Sequence, residues 1–439
     1  MKIAVLGNMN NNGFALMRYL RDIGEEADLL LFDDDEDNYS SHFSLKADTW
    51  HLEKWKKYVK KIPITNSYAV PLQKKFFFKI ILYFTFFYRR IFGLDNYFLS
   101  KPASNSSLQI FKEIIDEYDV LFGSGAMPAI LNSLNRKLTV FMAYSMGVEY
   151  LEEKFFLKKL KSRNLLVRLL AHETLKEQKA GIKNTILVIN TEFTATERAY
   201  KNIGVKTATC QIPVVYFEES NPKAYSDQLK NALTKINSFE FNIISHVRQQ
   251  WIKPSNFREN EWRKISKNND WLIKSYKDFL EKHNYPKCNL VLFEYGEDFN
   301  ETKKLANSLS ISEYITWLPR MSRKEIIVLL KNCSIGIGEF YEEGVIWGGA
   351  GWEIIGSGIP LIQKFSSENK KTYTKKFQFP APQIISVDNI TSLTKAISDL
   401  YKDKNLCNER GSQLKKWFDE FNSYNTVHQL INLIDSKRI

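Results

Sequence analysis

Residues 334–362 read SIGIGEFYEEGVIWGGAGWEIIGSGIPLI and contain two apolar strands, with a glycine-rich turn and a short helix between them. The order strand, helix, strand is typical of a parallel α/β sheet. The glycines allow the backbone to approach a ligand closely, and the free amides at a helix start can bind phosphate oxygens. The stretch therefore predicts a parallel sheet with an anion site beyond the carboxyl end of the strand Ile335–Ile337.

The same alternation of apolar strands and helical patterns extends through the whole chain. In the first half the predicted strands are Lys2–Leu6, Asp28–Phe32, Val120–Phe122, Leu138–Ala143 and Thr185–Ile189. In the second half they are Phe241–Ser245, Asn289–Phe293, Ile315–Leu318, Ile335–Ile337, Pro360–Gln363 and Gln383–Val387. This pattern predicts an α/β fold of two doubly wound, Rossmann-like domains facing a central cleft.

The polar stretch 216–235 contains Asn221-Pro222 and few apolar residues, which is typical of a connection between domains. We therefore expect one Rossmann-like domain in residues 1–217 and a second in residues 236–415. Residues 416–439 are expected to form a C-terminal helix that returns to the N-terminal domain.

The composition excludes several classes of protein. The chain has 439 residues, of which 44% are hydrophobic and 26% charged, so it is neither disordered nor collagen-like. Its four cysteines form no Cys-x-x-Cys pair, and we expect no disulfide scaffold and no structural zinc site. The first apolar run is too short for a signal peptide, and no uncharged run reaches the ~20 residues of a membrane span. We therefore expect a protein that is neither secreted by that route nor membrane-spanning.

The net charge of +12 indicates an anionic partner. Between His51 and Lys101 there are eleven basic residues and two acidic ones. Within that segment, residues 74–92 combine nine aromatic residues with lysines and arginines, which suits a helix lying on an anionic membrane surface. A core helix is the alternative, and a nucleic-acid surface is disfavoured because its aromatics would alternate with basic residues. A second basic helix, predicted between Lys154 and Lys179, is interpreted as core packing, with lipid contact as the alternative.

The first predicted strand ends in a turn rich in glycine and asparagine, from Gly7 to Gly13, which leads into a helical pattern. The turn has neither the dinucleotide-binding nor the P-loop spacing of glycines. Amides at the start of the helix could bind a phosphate or a sugar near Gly13, and a purely structural turn is an equal alternative.

Glu353 and the following segment Gly358-Ile359-Pro360-Leu361-Ile362 resemble the donor-site signature of family 4 (group 1) glycosyltransferases, which have the GT-B fold. In that signature two glutamates, separated by seven residues, precede a Gly-x-Pro turn. Glu353 matches the second glutamate, whereas Val345 occupies the regular position of the first. The first glutamate is therefore one of three nearby residues, and the preferred one is followed by glycine as in the family. The three are Glu339, Glu342 and, preferred, Glu343.

Other blocks agree with this resemblance. The segments 243–251 and 267–273 are similar to the block whose arginine and lysine hold the donor diphosphate in the family. Here these cations are Arg248 and Lys267, and Asn268 replaces the family's glycine. The segment 315–320, which ends at Arg320, corresponds to the segment that contacts the base of the donor nucleotide in the family. The segment 145–149, which ends at Glu149, resembles the family's acceptor-side loop.

The resemblance implies a set of site residues. Catalysis is expected to involve Glu149, Glu343, Arg248 and Lys267. Binding of the donor is expected to involve Arg248, Lys267, Arg320, Gly349, Gly351 and Glu353, to which we add the turn at Gly13. No metal and no cofactor are implied, since the donor is itself a UDP- or GDP-linked sugar.

The implied activity is a retaining, metal-independent transfer of a sugar to a glycan or lipid-linked acceptor, in the synthesis of cell-surface polysaccharide or glycoconjugates. The resemblance assigns the nucleotide sugar to the C-terminal domain and the acceptor to the N-terminal domain. Together with the basic aromatic segment, it predicts a cytoplasmic protein bound peripherally to the inner face of the cytoplasmic membrane, with no nucleic-acid partner. The alternatives are a GT-B sugar-nucleotide epimerase or hydrolase, and a non-enzymatic basic protein that binds nucleic acid.

Overall fold

The computed structural model describes residues 1–32, 44–64, 70–73, 75–82, 103–143, 165–190, 195–211, 213–341 and 347–438. The chain forms two compact units. Unit 1 contains Met1–Lys46, His51–Tyr216 and Tyr424–Ile439, and unit 2 contains Ala47–Trp50 and Phe217–Ser423.

Unit 1 is built on a parallel sheet of seven strands in the order β3-β2-β1-β4-β5-β6-β7. The strands are β1 Lys2–Leu6, β2 Glu26–Phe32, β3 Val59–Ile62, β4 Val120–Gly123, β5 Val140–Met142, β6 Leu187–Asn190 and β7 Ala208–Thr209. The sequence predicts five of them and misses β3 and β7, which lie at the two edges. Strand β3 carries two lysines, a composition that suits an edge strand but hides it from a search for apolar runs.

Alternate residues of β1 enter different cores, as the two-residue period of a strand requires. Ile3 and Val5 belong to one buried apolar cluster, whereas Ala4 and Leu6 belong to another. Both faces of the sheet are therefore covered, which is typical of parallel sheets and explains why the strand is apolar along almost its whole length.

Unit 2 is built on a parallel sheet of six strands in the order β10-β9-β8-β11-β12-β13. The strands are β8 Phe241–Ser245, β9 Cys288–Phe293, β10 Ile315–Leu318, β11 Ile335–Ile337, β12 Leu361–Gln363 and β13 Ile385–Ser386. All six lie where the sequence predicts them. The predicted α/β class, with two doubly wound parallel sheets, is confirmed.

Helices connect the strands in both units. Before residue 217 they are Asn12–Asp22, Leu52–Lys56, Val70–Gln73, Asn105–Asp116, Met127–Ser133, Leu165–Asn184 and Ala195–Ile203, with residues 76–82 also helical and 3-10 turns at Met9–Asn11 and Leu45–Ala47. After it they are Asp227–Asn237, Glu259–Trp262, Asn269–Lys282, Phe299–Ser308, Arg323–Lys331, Gly348–Ser357, Ser367–Phe377, Ile390–Lys402, Lys404–Phe421 and Ser423–Arg438, with 3-10 turns at Pro222–Ala224 and Ser312–Tyr314. None of the helices in the described ranges is long and apolar enough to cross a membrane.

The unit bounds differ from the predicted domains in three places. Residues 217–235, predicted as a connection, belong to unit 2, where the amphipathic helix Asp227–Asn237 buries Leu229 and Ile236. Residues 416–423 also belong to unit 2, and the chain enters unit 1 only at Tyr424. The segment Ala47–Trp50 belongs to unit 2 although its neighbours in sequence on both sides belong to unit 1.

The helix Lys404–Phe421 packs closely on the end of the helix Gly348–Ser357 at Gly411. A Cβ atom at Gly411 would lie 2.2 Å from the backbone oxygen of Gly358, which cannot rotate away as a side chain could. We therefore predict that Gly411→Ala lowers the free energy of unfolding by about 1–3 kcal/mol through overpacking. Chemical denaturation measures the change.

Gly349→Ala is the matched control for Gly411→Ala, because a Cβ atom at Gly349 meets nothing within 4 Å. This variant should keep the stability of the wild type. Equal stability of both variants would contradict the close packing at Gly411.

Candidate functional site

The carboxyl ends of the strands of unit 2 lie at one edge of its sheet, because all the strands are parallel. Strand β8 is followed by His246 and Arg248, strand β10 by Arg320, and strand β11 by Glu339. Strands β8 and β11 are direct neighbours, with Ile243 aligned on Ile335. The edge therefore brings together basic and acidic residues that are far apart in sequence.

Lys267 and Glu339 form an ion pair at this edge. The Lys267 Nζ lies 2.7 Å from Oε2 of Glu339, and both side chains are mostly buried, with 17% and 13% of their surface exposed. The backbone holds Lys267 in place, since its amide donates to the carbonyl of Gln250 over 2.8 Å. A Cβ atom at Gly348 would lie 3.4 Å from the Glu339 carboxylate, so the start of the helix Gly348–Ser357 adjoins the pair.

Asn268, which stands where the family has glycine, has left-handed backbone angles of φ 48° and ψ 42°. Asparagine adopts this conformation more readily than most other residues with a side chain, so the replacement keeps the turn that glycine would make. Its side-chain amide also donates to the carbonyl of Phe340 over 3.0 Å. The replacement therefore ties the turn after Lys267 to the loop after β11.

Glu353 is buried in the helix Gly348–Ser357, and both of its carboxylate oxygens have partners. Oε2 lies 2.7 Å from Nε2 of His246, and Oε1 accepts a hydrogen bond from Nε of Arg323 over 2.8 Å. Burial by itself would raise the pKa of Glu353, but the hydrogen bond with His246 and the positive charge of Arg323 outweigh it. The pKa of Glu353 is therefore below its ordinary value, and the carboxylate is ionised at neutral pH.

The two predicted arginines of the site are exposed. Arg248 has no hydrogen bond or ion pair within the described part of the chain. The guanidinium of Arg320 lies over the ring of Tyr295, 5.1 Å from its centroid. Arg248 is thus a cation at the sheet edge that is available to an anionic ligand.

The predicted binding glycines play different structural roles. Gly349 is exposed in the first turn of its helix, and nothing would obstruct a ligand there. Gly351 is buried, and a Cβ atom there would lie 2.6 Å from the Cβ of Trp347. The packing of this tryptophan is therefore a sufficient reason for glycine at position 351.

Gly13 lies in unit 1, at the carboxyl ends of strands β1 and β4. A Cβ atom at Gly13 would lie 2.2 Å from the carbonyl oxygen of Gly7, so glycine is needed for the turn itself. A cavity of about 20 Å³ between Gly7, Gly13 and Ser124 has room for little more than one water molecule. The geometry of the described residues thus gives a structural reason for this glycine.

Two predicted catalytic residues, Glu149 and Glu343, lie outside the described residues, as does Glu342. Of the three candidates for the first glutamate of the pair, Glu339 is described, and it contacts Lys267. Three contributors to the site were not predicted from the sequence. They are Arg323, Asp48, and His246 in its role as a partner of Glu353. Asp48 accepts from Arg323 over 3.1 Å across 275 positions of sequence, a separation at which no local pattern could have indicated the contact.

The lowered pKa of Glu353 makes the stability of the protein depend on pH. A carboxylate with a lowered pKa stabilises the folded state above its unfolded pKa of about 4.3, and this contribution is lost as the pH falls through the folded pKa. We predict that the wild type loses more free energy of unfolding than Glu353→Gln between about pH 5 and pH 3. Denaturant unfolding at several pH values measures the difference.

The control for Glu353→Gln is Glu301→Gln, which removes an exposed carboxylate paired with Lys304. Its acid-induced loss of stability should match that of the wild type. If Glu353→Gln lost as much free energy of unfolding on acidification as the wild type, Glu353 would not be held as an ion in the folded protein.

Comparisons with known proteins agree with this geometry. Residues 263–417 match the model of the family described as glycosyl transferases group 1. No curated protein sequence matches the chain.

Several solved structures share the fold. HepE from Anabaena, in complex with UDP and glucose, is 13% identical with a TM-score of 0.57, and the match covers 99% of this chain and 100% of that one. Sucrose-phosphate synthase from Thermosynechococcus elongatus is 14% identical with a TM-score of 0.53, over 99% and 98% of the two chains. A TarM variant from S. aureus, in complex with Fondaparinux, alpha-GlcNAc-glycerol and UDP, is 12% identical with a TM-score of 0.53, over 99% and 100%.

The family match lies entirely within unit 2 and includes Lys267, Arg323, Glu339 and Glu353. Residues 263–417 are therefore a group 1 glycosyltransferase domain, and the protein is a glycosyltransferase with the GT-B fold.

Proposed function

We propose that this glycosyltransferase, as a member of family 4, transfers a sugar from a UDP- or GDP-linked donor to a glycan or lipid-linked acceptor. The transfer retains the anomeric configuration and needs no metal, and the product belongs to cell-surface polysaccharide or glycoconjugates. The observation that carries the proposal is the placement of two cations and a helix start at the same carboxyl edge of the unit 2 sheet. Arg248 follows β8 there, and Lys267 contacts Glu339, which the start of the helix Gly348–Ser357 adjoins. Donor binding is assigned to unit 2 and acceptor binding to unit 1.

The chemistry needs stabilisation of a leaving diphosphate. The bond between the anomeric carbon and the diphosphate oxygen breaks, and its electron pair goes to the diphosphate. The acceptor oxygen bonds to the same carbon on the same face of the sugar, and the acceptor proton leaves with the diphosphate. Cations and helix amides placed before the reaction lower its barrier, because they need no rearrangement as negative charge develops.

Arg248 and Lys267 have different parts in this proposal. Arg248 is exposed, and its planar guanidinium can bind two phosphate oxygens at once. Lys267 is already paired with Glu339, so a diphosphate would share its ammonium with that carboxylate. The structurally similar HepE and TarM variant were solved in complex with UDP, which makes UDP the first nucleotide to test.

We predict that Arg248→Ala and Lys267→Ala each weaken the binding of the donor nucleotide. Each change removes a charge-assisted contact worth about 1.5–3 kcal/mol, which corresponds to roughly 10- to 150-fold in Kd. Isothermal titration calorimetry with UDP and with GDP measures the effect.

Lys395→Ala is the matched control for these cations, because it removes an exposed lysine paired with Asp399 on the helix Ile390–Lys402. It lowers the net charge equally and should leave Kd unchanged. Wild-type affinity in both Arg248→Ala and Lys267→Ala would refute the diphosphate site.

We further propose that unit 1 binds the anionic inner face of the cytoplasmic membrane through residues around 75–82. Phe76 and Phe77 are 80% and 65% exposed, which is unusual for side chains of this size. The other side of the same helix packs inward, where Phe78 and Ile81 contact a small buried cluster that includes Leu170. The helix thus presents phenylalanines outward from a fixed base.

The helix Leu165–Asn184 adds to this surface. Lys75 forms an ion pair with Glu173 of that helix, and Leu165 and Leu169 are 66% and 45% exposed. Lys79 follows the exposed phenylalanines in sequence, and Arg168 lies between Leu165 and Leu169, so both add positive charge to these segments. Each basic residue close to an anionic membrane surface contributes about 1 kcal/mol to the free energy of binding. The rest of the predicted interfacial segment, residues 83–92, lies outside the described residues.

We predict that Phe76→Ser together with Phe77→Ser reduces binding to anionic liposomes at low salt, because the double variant removes buried apolar area from the lipid interface. Flotation with phosphatidylglycerol vesicles measures it, and nucleotide affinity should persist. The control double variant is Ile186→Ser with Ile252→Ser, which removes two exposed apolar residues elsewhere. A wild-type protein that does not float with the vesicles would refute the membrane proposal.

A further inference from the structure

Unit 2 contains a buried row of four polar side chains that the proposed chemistry does not by itself explain. Asp48 accepts from Nη1 of Arg323 over 3.1 Å, Nε of Arg323 donates to Glu353 over 2.8 Å, and Glu353 also contacts His246 over 2.7 Å. The exposed fractions of the side chains are 1% for Asp48, 15% for Arg323, 9% for Glu353 and 6% for His246.

This arrangement is not one that folding stability alone favours. Taking four ionisable side chains out of water costs free energy that their mutual attraction barely returns, and well-packed apolar residues of similar volume often serve stability as well. Their fixed geometry, however, determines where the Glu353 carboxylate points, since Nε and Nη1 of Arg323 are held in one rigid plane. Asp48 holds the far end of that plane, so the guanidinium cannot rotate away from Glu353.

Glu353 can accept further hydrogen bonds, and a fixed orientation of its carboxylate would direct them toward a ligand. An ionised carboxylate has about four lone-pair sites, and Arg323 and His246 occupy two of them. The carboxylate lies in the helix whose start adjoins the Lys267–Glu339 pair. A nucleotide whose diphosphate meets Lys267 would therefore carry its ribose close to Glu353, and ribose hydroxyls are donors that suit a carboxylate.

We infer that Arg323, with Asp48 behind it, is a positioning residue that orients the Glu353 carboxylate toward the ribose hydroxyls of the donor nucleotide. This inference rests on the proposed function, because it assumes that unit 2 binds a nucleoside diphosphate. It assigns to donor recognition two residues outside the family's motif, one of them, Asp48, from the first fifty residues of the chain.

A purely structural role must be distinguished, since the segment Ala47–Trp50 is also held by Lys324. The Lys324 Nζ donates to the carbonyl of Thr49 over 3.0 Å and lies 4.6 Å from the ring centroid of Trp50. Lys324 thus anchors the same segment as Arg323 and follows it on the same helix, but Arg323 is the one that contacts Glu353. Lys324→Met is therefore the matched control for Arg323→Met.

The experiment compares UDP with its 2′-deoxy and 3′-deoxy analogues by calorimetry, and uses the GDP series if the wild type binds GDP instead. We expect the wild type to prefer the parent nucleotide over at least one analogue by about tenfold or more, the effect of one charge-assisted hydrogen bond. Arg323→Met should bind parent and analogue within about twofold of each other. Asp48→Asn should show a reduced preference, whereas Lys324→Met should keep that of the wild type.

The double variant Arg323→Met with Glu353→Gln tests whether the two residues act together. If Arg323 acts through Glu353, the double variant should bind the parent nucleotide as weakly as Glu353→Gln alone, rather than showing the product of the two losses. Should Arg323→Met fail to fold, Arg323→Lys decides, because one ammonium cannot hold two carboxylates as a planar guanidinium does.

The outcomes separate this inference from the proposed function. A folded Arg323→Met or Arg323→Lys that keeps the wild-type preference overturns the inference, as does a wild type with no preference for the ribose hydroxyls, and nucleotide binding itself stands in both cases. A loss of preference in Lys324→Met equal to that in Arg323→Met also overturns it, since anchoring of the segment would then be the cause. A wild type that binds neither UDP nor GDP overturns the proposed function and the inference with it.

Discussion

The parallel pairing of the strands determines where function can reside in both units of this protein. A parallel sheet needs crossover connections, and the helices that make them cover both faces, so side chains within the strands are committed to the core. Ile3 and Ala4 illustrate this, because adjacent residues of one strand enter two separate buried clusters. Polar groups can then converge at the strand ends, in the loops and in the first turns of the helices that follow them.

In unit 2 this constraint gathers its charges at the carboxyl edge of the sheet. Strands β8 and β11 are neighbours, so the loops that carry Arg248 and Glu339 leave the sheet side by side. The charged side chains at this edge differ in how much of their surface is exposed. Arg248 remains exposed, whereas Lys267 and Arg323 are mostly buried and paired with carboxylates. Buried charges in a low dielectric interact more strongly and have less freedom to move, so they are suited to orienting neighbouring side chains. An exposed cation is suited to the first contact with an anionic ligand.

The departures from the family's donor-site pattern have local physical explanations. Asn268 replaces a glycine because the turn needs a left-handed backbone conformation, which asparagine tolerates. Gly351 is compatible with ligand binding, but the packing of Trp347 already requires a residue without a side chain there. Glu339 is one of three candidates for the first glutamate of the pattern, and it contacts the lysine that the pattern assigns to the diphosphate. Comparison with the family's pattern alone would have assigned these three positions roles that differ from those that their contacts in the structure support.

The sequence was sufficient to predict the fold class, the six strands of unit 2, five of the seven strands of unit 1, and the family that residues 263–417 match. It could do so because strands covered on both faces must be apolar along their length, and this requirement acts locally on consecutive residues. It missed β3, whose lysines suit an exposed edge, and it interpreted residues 217–235 as a connection although they contain a helix packed in unit 2. The folded structure was needed to show that Asp48 belongs to unit 2 and that Arg323 joins it to Glu353. An ion pair between distant residues leaves no periodic signal in the sequence, because each partner's neighbours obey their own local packing, and the pair exists only once the chain has folded.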